Sequence, residues 1–290
     1  MCSLLNLPKL PEVSIFTLFQ IRGSLRSHVL ERLNRPEDWQ DRRKAPPQPD
    51  DGELLEAIKD IARDRASYGY RRVWAVLRLN GRQTNHKRIY RVMRDHRLLL
   101  HRRGDKPVSS RRHDGRIAVD VSNTRWCSDG FELSCDNGER VRVAFALDCC
   151  DREAMSWVAT TRGIDAELVG DLMMQAVEQR FGANGKAAGN VEWLTDNGSC
   201  YTAAKTRSFA QELGLKPVTT WMRSPQSNGM AESFVRTFKR DYADLAHRPD
   251  AQTVMRQLAG WFEHYNTQHP HSALGYLPPR LFREKQAVSY

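Results

Sequence analysis

The chain has 290 residues, of which 28% are charged and 40% hydrophobic, with a net charge of +10. That length allows two or three modules with real cores, and the composition places the chain in the soluble globular class. No apolar run approaches the roughly 20 residues of a membrane span. The first 21 residues are fairly apolar, but Pro8, Lys9 and Pro11 interrupt them, so no signal-peptide pattern forms. The six cysteines (Cys2, Cys127, Cys135, Cys149, Cys150, Cys200) make no Cys-x-x-Cys pair, and His269 and His271 have no paired cysteines near them. This argues against zinc and against a disulfide framework, and fits a reducing cytoplasm.

The sign of the charge favours a polyanionic partner, of which nucleic acid is the usual one. The alternative is a solvated basic surface. The distribution sharpens the choice. Asp51 to Arg116 holds 18 Lys and Arg against 8 Asp and Glu, which leaves the rest of the chain neutral.

Residues 1–50 read poorly. Arg35-Pro36-Glu37-Asp38 and Pro46-Pro47-Gln48-Pro49 look like linker, a helix is predicted between Leu25 and Leu33, and Met1 to Gly23 carries no functional signal. From Asp51 the pattern turns helical. Leu54, Leu55, Ile58 and Ile61 fall at helical spacing, with Asp50 or Asp51 placed to cap. Tyr68-Gly69-Tyr70 breaks the pattern. A second helix carries Val73, Trp74, Val76 and Leu77, and Asn80-Gly81 ends it. Thr84 is the expected cap of a third helix with Ile89, Tyr90, Val92 and Met93 apolar and His86, Lys87, Arg88, Arg91 and Arg94 polar. Helix, break, helix, turn and basic helix suggest an all-α, helix-turn-helix-like DNA-binding domain over 51–100. A small bundle with a solvated basic face is the alternative. A basic linker, 101–116, follows, with Arg102, Arg103, Lys106, Arg111, Arg112 and Arg116.

Beyond residue 117 the signals alternate. Thr124 to Leu133 reads as a strand, and Asn137-Gly138 as a hairpin turn, because Asn-Gly accepts positive φ at little cost. Val141, Val143, Phe145 and Leu147 alternate as in a half-exposed strand. Ala154 to Thr161 is a third strand, Ile164 to Phe181 a helix, Val191 to Thr195 a short apolar strand, and Tyr201 to Leu213 a helix. Lys216 to Trp221 is a fifth strand and Met230 to about Leu245 a long helix. The order βββαβαβα predicts one α/β layer, a mixed five-stranded sheet with flanking helices, over 117–247. A C-terminal helix, Ala251 to Asn266, and a tail fill 248–290.

Three carboxylates stand out. Asp129 interrupts the apolar strand run Trp126-Cys127-Ser128-Asp129-Gly130-Phe131, where burial is costly unless the charge is paired or bound to metal. Asp196 ends the run Val191 to Thr195, at the carboxyl edge where open α/β sheets place their sites; it is also a plausible plain turn residue of Asp-Asn-Gly. Glu232 follows Ser224-Pro225 and Asn228-Gly229, a stiff and flexible pair that suggests a mobile loop, and thirty-five residues separate it from Asp196. Carboxylates suit Mg²⁺, and paired metals serve phosphodiester chemistry. Asp148, Asp151 and Glu192 are rival carboxylates. Arg236 and Lys239 lie four and seven residues after Glu232, on its side of the helix, where cations would meet a phosphate backbone. An ordinary amphipathic helix with basic residues outward is the alternative.

These blocks together resemble a known family. Trp126 to Asp129, Leu194-Thr195-Asp196-Asn197-Gly198-Ser199, Ser224-Pro225 with Asn228-Gly229 and Glu232, and Lys239 are similar to the DDE transposases of bacterial insertion sequences, specifically the OrfB type with a retroviral-integrase-like core. Tyr68-Gly69-Tyr70-Arg71-Arg72-Val73 and Tyr265-Asn266 through His269-Pro270-His271-Ser272-Ala273-Leu274-Gly275-Tyr276 also match that pattern, which spans about Leu54 to Phe282. The resemblance implies an RNase H-like core, two Mg²⁺ or Mn²⁺ ions, and cleavage and strand transfer at element ends. It maps the metal ligands onto Asp129, which would bridge both ions, and onto Asp196 and Glu232, which would hold one each; it maps DNA contact onto Lys239. It further implies double-stranded DNA as partner, a homo-oligomer on DNA, a fusion with an upstream reading frame, and a cytoplasmic, nucleoid-associated protein. Two rivals remain: a non-catalytic DNA-binding regulator, and an RNase H-like nuclease cutting RNA–DNA hybrids. A decayed element is the third, although all three carboxylates are present.

Overall fold

The computed structural model describes residues 50–101, 118–183, 185–187, 191–219 and 229–288. The helix expected between Leu25 and Leu33, the basic linker from Arg102 to Arg116 and the Ser224–Asn228 loop lie outside them. Three helices open the described chain: α1 (Gly52–Asp64), α2 (Tyr70–Leu79) and α3 (His86–Asp95). Their apolar positions recur every three or four residues, so each helix turns one stripe inward. Leu54 and Ile58, Val73 and Leu77, and Ile89, Val92 and Met93 meet with Tyr68 in one core.

Two helix starts differ from expectation. Asp51 stands at the head of α1, but its side chain caps nothing; it accepts from Arg88 Nε and Arg91 Nη2 of α3, both at 2.7 Å. Two guanidinium donors outcompete one backbone amide, since charge-assisted bonds are about twice as strong as neutral ones. The cap of α3 is Asn85, not Thr84; its Oδ1 accepts from Lys87 N at 2.9 Å. Thr84 is occupied differently, its carbonyl taking the indole N–H of Trp74 at 2.9 Å.

The second half is built on a five-stranded mixed sheet of order β3-β2-β1-β4-β5. The strands are β1 (Arg125–Ser134), β2 (Arg140–Asp148), β3 (Ala154–Thr160), β4 (Val191–Thr195) and β5 (Leu215–Thr219). β1 to β3 run antiparallel, and β4 and β5 run parallel to β1. The β1–β2 turn holds Gly138 at φ 87°, as an Asn-Gly hairpin requires. β2 is more buried than its alternation suggests. It lies between β1 and β3, and Ala144 and Ala146, its apparent gaps, are fully buried under a helix.

Helices cover both faces. α4 (Ala166–Phe181), α5 (Ser199–Thr202) and α6 (Ala204–Glu212) lie on one side; α7 (Gly229–Asp241) and α8 (Ala251–Thr267) lie on the other. Strand alternation sorts the residues. Trp126, Ala144, Ala146 and Trp193 join Val169, Leu172 and Met173 of α4. Cys127, Phe131, Val143 and Phe145 join Phe234 and Phe238 of α7 and Leu258 and Phe262 of α8.

The helix expected over Tyr201 to Leu213 is two pieces, because Ala203 is extended at φ −55°, ψ 138°. The break lets Tyr201 point under the sheet while Thr206 and Ala210 turn toward the buried layer. The long helix after Met230 stops at Asp241 rather than Leu245; a 3-10 turn follows over Ala243–Leu245. A last helix, α9 (Pro279–Val288), has no counterpart in the sequence reading, although Pro at a first helical turn is a start signal. Residues Asp51–Tyr290 group as one compact unit.

Candidate active site

β1 and β4 are parallel neighbours, with Cys127 level with Leu194. Two residues further along each chain stand Asp129 and Asp196. Adjacent strands lie about 4.8 Å apart, so register alone brings the two acids near one another, Asp129 within β1 and Asp196 just past the end of β4. Both line one cavity of about 410 Å³, together with Phe131, Glu132, Arg142, Ile164 and Tyr201.

Each carboxylate is oriented by its own backbone. Asp129 Oδ1 accepts from Gly130 N at 2.8 Å, and Asp196 Oδ1 from Gly198 N at 2.9 Å. The second bond is an Asx turn, and a Cβ at residue 198 would stand 3.0 Å from Asp196 Oδ1, so a larger residue there would have to push the carboxylate aside by a few tenths of an ångström. Asp129 is half-buried and Asp196 exposed. Beneath them the Tyr201 hydroxyl and Ser128 Oγ form a buried hydrogen bond of 3.1 Å.

Glu232 comes from the first turn of α7. The odd-numbered residues of β1 face this helix. Asp129 pairs across the sheet with Phe145, and the Phe145 ring packs on Phe234 at 4.3 Å. Two residues before Phe234, Glu232 is exposed on the outer side of α7. Its charge reaches Asp129. Burial, then the charges of Asp196 and Glu232, push the Asp129 carboxyl up to about 6, against the hydrogen bond from Gly130. The three acids therefore share one electrostatic neighbourhood. They do not form a closed cage: among the described residues no three His, Cys, Asp or Glu side chains stand together at metal-ligating distance.

The rival carboxylates are spent on structure. Asp148, fully buried, accepts from the backbone of Asn123, Cys150 and Asp151 and from Trp126 Nε1. Asp151 takes two bonds from the buried Arg180, at 3.0 and 2.9 Å. Glu192 is paired with Arg125 at 2.7 Å. Of the six candidate acids, Asp129 and Asp196 line one cavity and Glu232 acts on Asp129 through its charge, whereas Asp148, Asp151 and Glu192 are tied into the scaffold.

The basic residues divide too. Lys239 is half-buried, its ammonium 5.9 Å from the Phe131 ring centre, so it leans over β1 beside the acids. Arg236 is exposed on the same helix. On α3, His86, Lys87 and Arg94 are exposed, whereas Arg88 and Arg91 are held by Asp51. Sequence reasoning did not single out Tyr201 or Arg142. Arg142 of β2 and Tyr201 of α5 line the cavity only because the fold brings them there, and neither has a local sequence signal.

A mixed five-stranded sheet with flanking helices, carrying one acid within β1 and another just past the end of β4, is the frame of an RNase H-like polynucleotidyl transferase. Integrase core domain families match residues 120–225 and 213–279, and an HTH-like domain family matches 49–106. The transposase InsD for insertion element IS2A/D/F/H/I/K of Escherichia coli is 54% identical over 267 residues, 90% of this chain and 87% of that protein. InsD for insertion element IS2-9 of E. coli strain K12 matches at the same identity, over 86% of its length. The BIV integrase catalytic core superposes at TM-score 0.39 with 18% identity, over 58% of this chain and 99% of that one. The chain belongs to the insertion-element transposases with an integrase core domain and an HTH-like domain. No described helix is long and apolar enough to cross a membrane.

Proposed function

We propose that Asp129, Asp196 and Glu232 are the catalytic acids of this transposase, holding two Mg²⁺ or Mn²⁺ ions while one DNA strand is cut at an element end and its freed 3′-hydroxyl is joined to a target phosphodiester. The observation that carries this reading is the pair Asp129 and Asp196, level on adjacent parallel strands and lining one cavity, with the charge of Glu232 felt at Asp129. Hard carboxylate oxygens that repel one another fit a divalent cation, which would remove the repulsion. Mg²⁺ binds through one or two carboxylates plus substrate phosphates and waters, so a protein-only cage of three is not required before DNA arrives. When bound, the ions supply Lewis acidity at the scissile phosphate. The chain's own residues do the rest: Gly130 N and Gly198 N fix two carboxylates in direction, and Lys239 and Arg236 receive the DNA backbone beside them.

In the same reading, residues 51–100 bind the element ends through His86, Lys87, Arg88, Arg91 and Arg94 of α3, the 101–116 linker carries that binding to the 117–247 core, and 248–290 buttresses it. Two ends must be held together for joining, which calls for a homo-oligomer on nucleoid DNA, with an upstream-frame fusion as a further partner. The test is Glu232→Gln, assayed with Mg²⁺ on end-sequence duplex. Strand joining is expected to vanish while end binding in EDTA persists. Joining at the parental rate would remove Glu232 from the site, and an unaltered chain that binds end duplex yet shows no Mg²⁺-dependent nicking would favour a regulator over an enzyme.

A further inference from the structure

Two motifs of the sequence have no place in the chemistry described so far: Tyr68 to Val73, and Tyr265 to Tyr276. The fold brings them together around one buried carboxylate, Asp241, the last residue of α7. Arg72 of α2 reaches Asp241 Oδ2 at 3.0 Å, and Arg65 donates to the Asp241 carbonyl at 3.4 Å. Arg240 donates to both carboxylate oxygens. His269 stands 3.8 Å from Oδ2 and is hydrogen-bonded through Nδ1 to the Tyr68 hydroxyl at 2.8 Å. Arg72 also lies over the Tyr68 ring, and Trp74 packs edge-on against Tyr276.

Asp241 is a poor choice for its own helix. An acid at a helix C-terminus faces the negative end of the dipole, and a carboxylate with no exposed surface loses its water. The cations that offset both costs come partly from Arg65 and Arg72, which belong to the helix-turn-helix-like unit rather than to the sheet. The same helix carries Glu232 and Lys239. Glu232 and Asp241 are nine positions apart, which is about 13 Å along the axis. The two lie on opposite sides of α7, one on the exposed face and one on the buried stripe continued from Ala231, Phe234 and Phe238.

We propose that Asp241 is a positioning residue: through Arg72 and the Tyr68–His269 pair, the DNA-binding helices hold the far end of α7 and thereby set where Glu232 stands relative to Asp129 and Asp196. This rests on the assignment of Glu232 given above. The device ties the end-binding unit rigidly to one catalytic acid, so DNA held by α3 is registered against the site through α2 and α7.

The experiment uses the full chain and three changes: the double variant Arg72→Met with Asp241→Asn, the single variant Tyr68→Phe, and Glu232→Gln as reference. The double variant removes both charges of the pair together, so no buried charge is stranded. Three quantities are read: end-duplex binding in EDTA, the rise in Tm on Mg²⁺ titration, and the single-turnover rate and amplitude of strand cleavage. The double variant should bind end duplex within about twofold of the parent and keep its metal-free Tm within a few degrees. It should need about tenfold more Mg²⁺ for the same Tm rise and cleave about tenfold more slowly at full amplitude, and Tyr68→Phe should show the same pattern more weakly. A merely structural role would lower metal-free Tm and amplitude and leave rate and Mg²⁺ response alone; that result overturns the proposal. If the double variant does not fold, Tyr68→Phe decides, and parental rate and Mg²⁺ response in it are equally fatal. Parental cleavage in Glu232→Gln would instead sink the site assignment on which the inference stands.

Discussion

At the scale of single residues, the catalytic role proposed for Asp129 and the stability of the fold pull apart. The strand that presents it is apolar on both sides, and the charge sits half-buried beside two other acids, which is why its carboxyl is pushed up to about 6. Substituting Asp129→Asn removes a repelled charge and keeps the side-chain shape and the oxygen that receives Gly130 N. The variant is expected to melt no lower than the parent in metal-free buffer while Mg²⁺-dependent cleavage falls by about a hundredfold or more, the scale of losing several kcal/mol of transition-state stabilisation. Calorimetry and a nicking assay on the same preparation check both halves. The residue scale also shows where reading a sequence misleads. Asp51 has the right type and place for a helix cap, yet two arginines 37 and 40 positions later claim it. Local spacing says nothing about partners that far along the chain.

At the scale of elements, α7 is the helix that carries the proposed acid Glu232. Its inner stripe is aromatic: Phe238 lies within ring contact of Phe131, Phe234, Tyr242, Trp261 and Phe262 and has no exposed surface. Phe238→Ala should therefore cost about 3–5 kcal/mol in denaturant unfolding, through lost transfer energy and a cavity that five rings cannot close. Next to it, the end of α8 and the following turn hold three imidazoles in neutral form. Burial lowers His264 to about 4, His271 to about 3, and His269 well below its ordinary value. An unfolded histidine titrates near 6.5, so the unfolded chain takes up protons that the folded chain refuses, and stability falls as pH drops below that value. The slope is at most about 1.4 kcal/mol per pH unit for each buried ring, His269 and His271, and smaller for the partly exposed His264. Asp129 and Asp148, both raised to about 6 by burial first, act in the opposite sense. The balance is a net loss of about 1–2 kcal/mol between pH 7.5 and 5.5. Urea midpoints at the two values measure it, and equal midpoints would contradict the assignment of neutral buried rings.

For the whole molecule, the basic excess between Asp51 and Arg116 is a surface property that folding edits. Lys87 and Arg94 face solvent, whereas Arg88 and Arg91 hold α1 to α3 through Asp51. Alanine at Lys87 or Arg94 is expected to flatten the slope of log K against log salt for end-duplex binding by about 0.9 each, with little effect on melting. Alanine at Arg88 or Arg91 should change the slope less and the melting temperature more, because it leaves part of the Asp51 charge uncompensated. Titrations at several salt concentrations separate the two pairs.

Much of this protein was legible along the chain. Periods of 3.6 and 2 mark the helices and strands, and Asn137-Gly138 marks the hairpin, since such signals are written by neighbours a few residues away; the same kind of context singles out Asp129, Asp196 and Glu232 as the proposed acids. Other features had no local trace. The burial of β2 on both faces follows from its place between β1 and β3, and the tying of Asp151 and Glu192 into the scaffold follows from the arginines, Arg180 and Arg125, that the fold brings to them. The meeting of Tyr68 with His269 and of Arg72 with Asp241 joins positions 201 and 169 residues apart. Periodicity is a property of the backbone and can be read from sequence; pairing between distant side chains is decided only when the layers close and each charge must find a partner or stay in water.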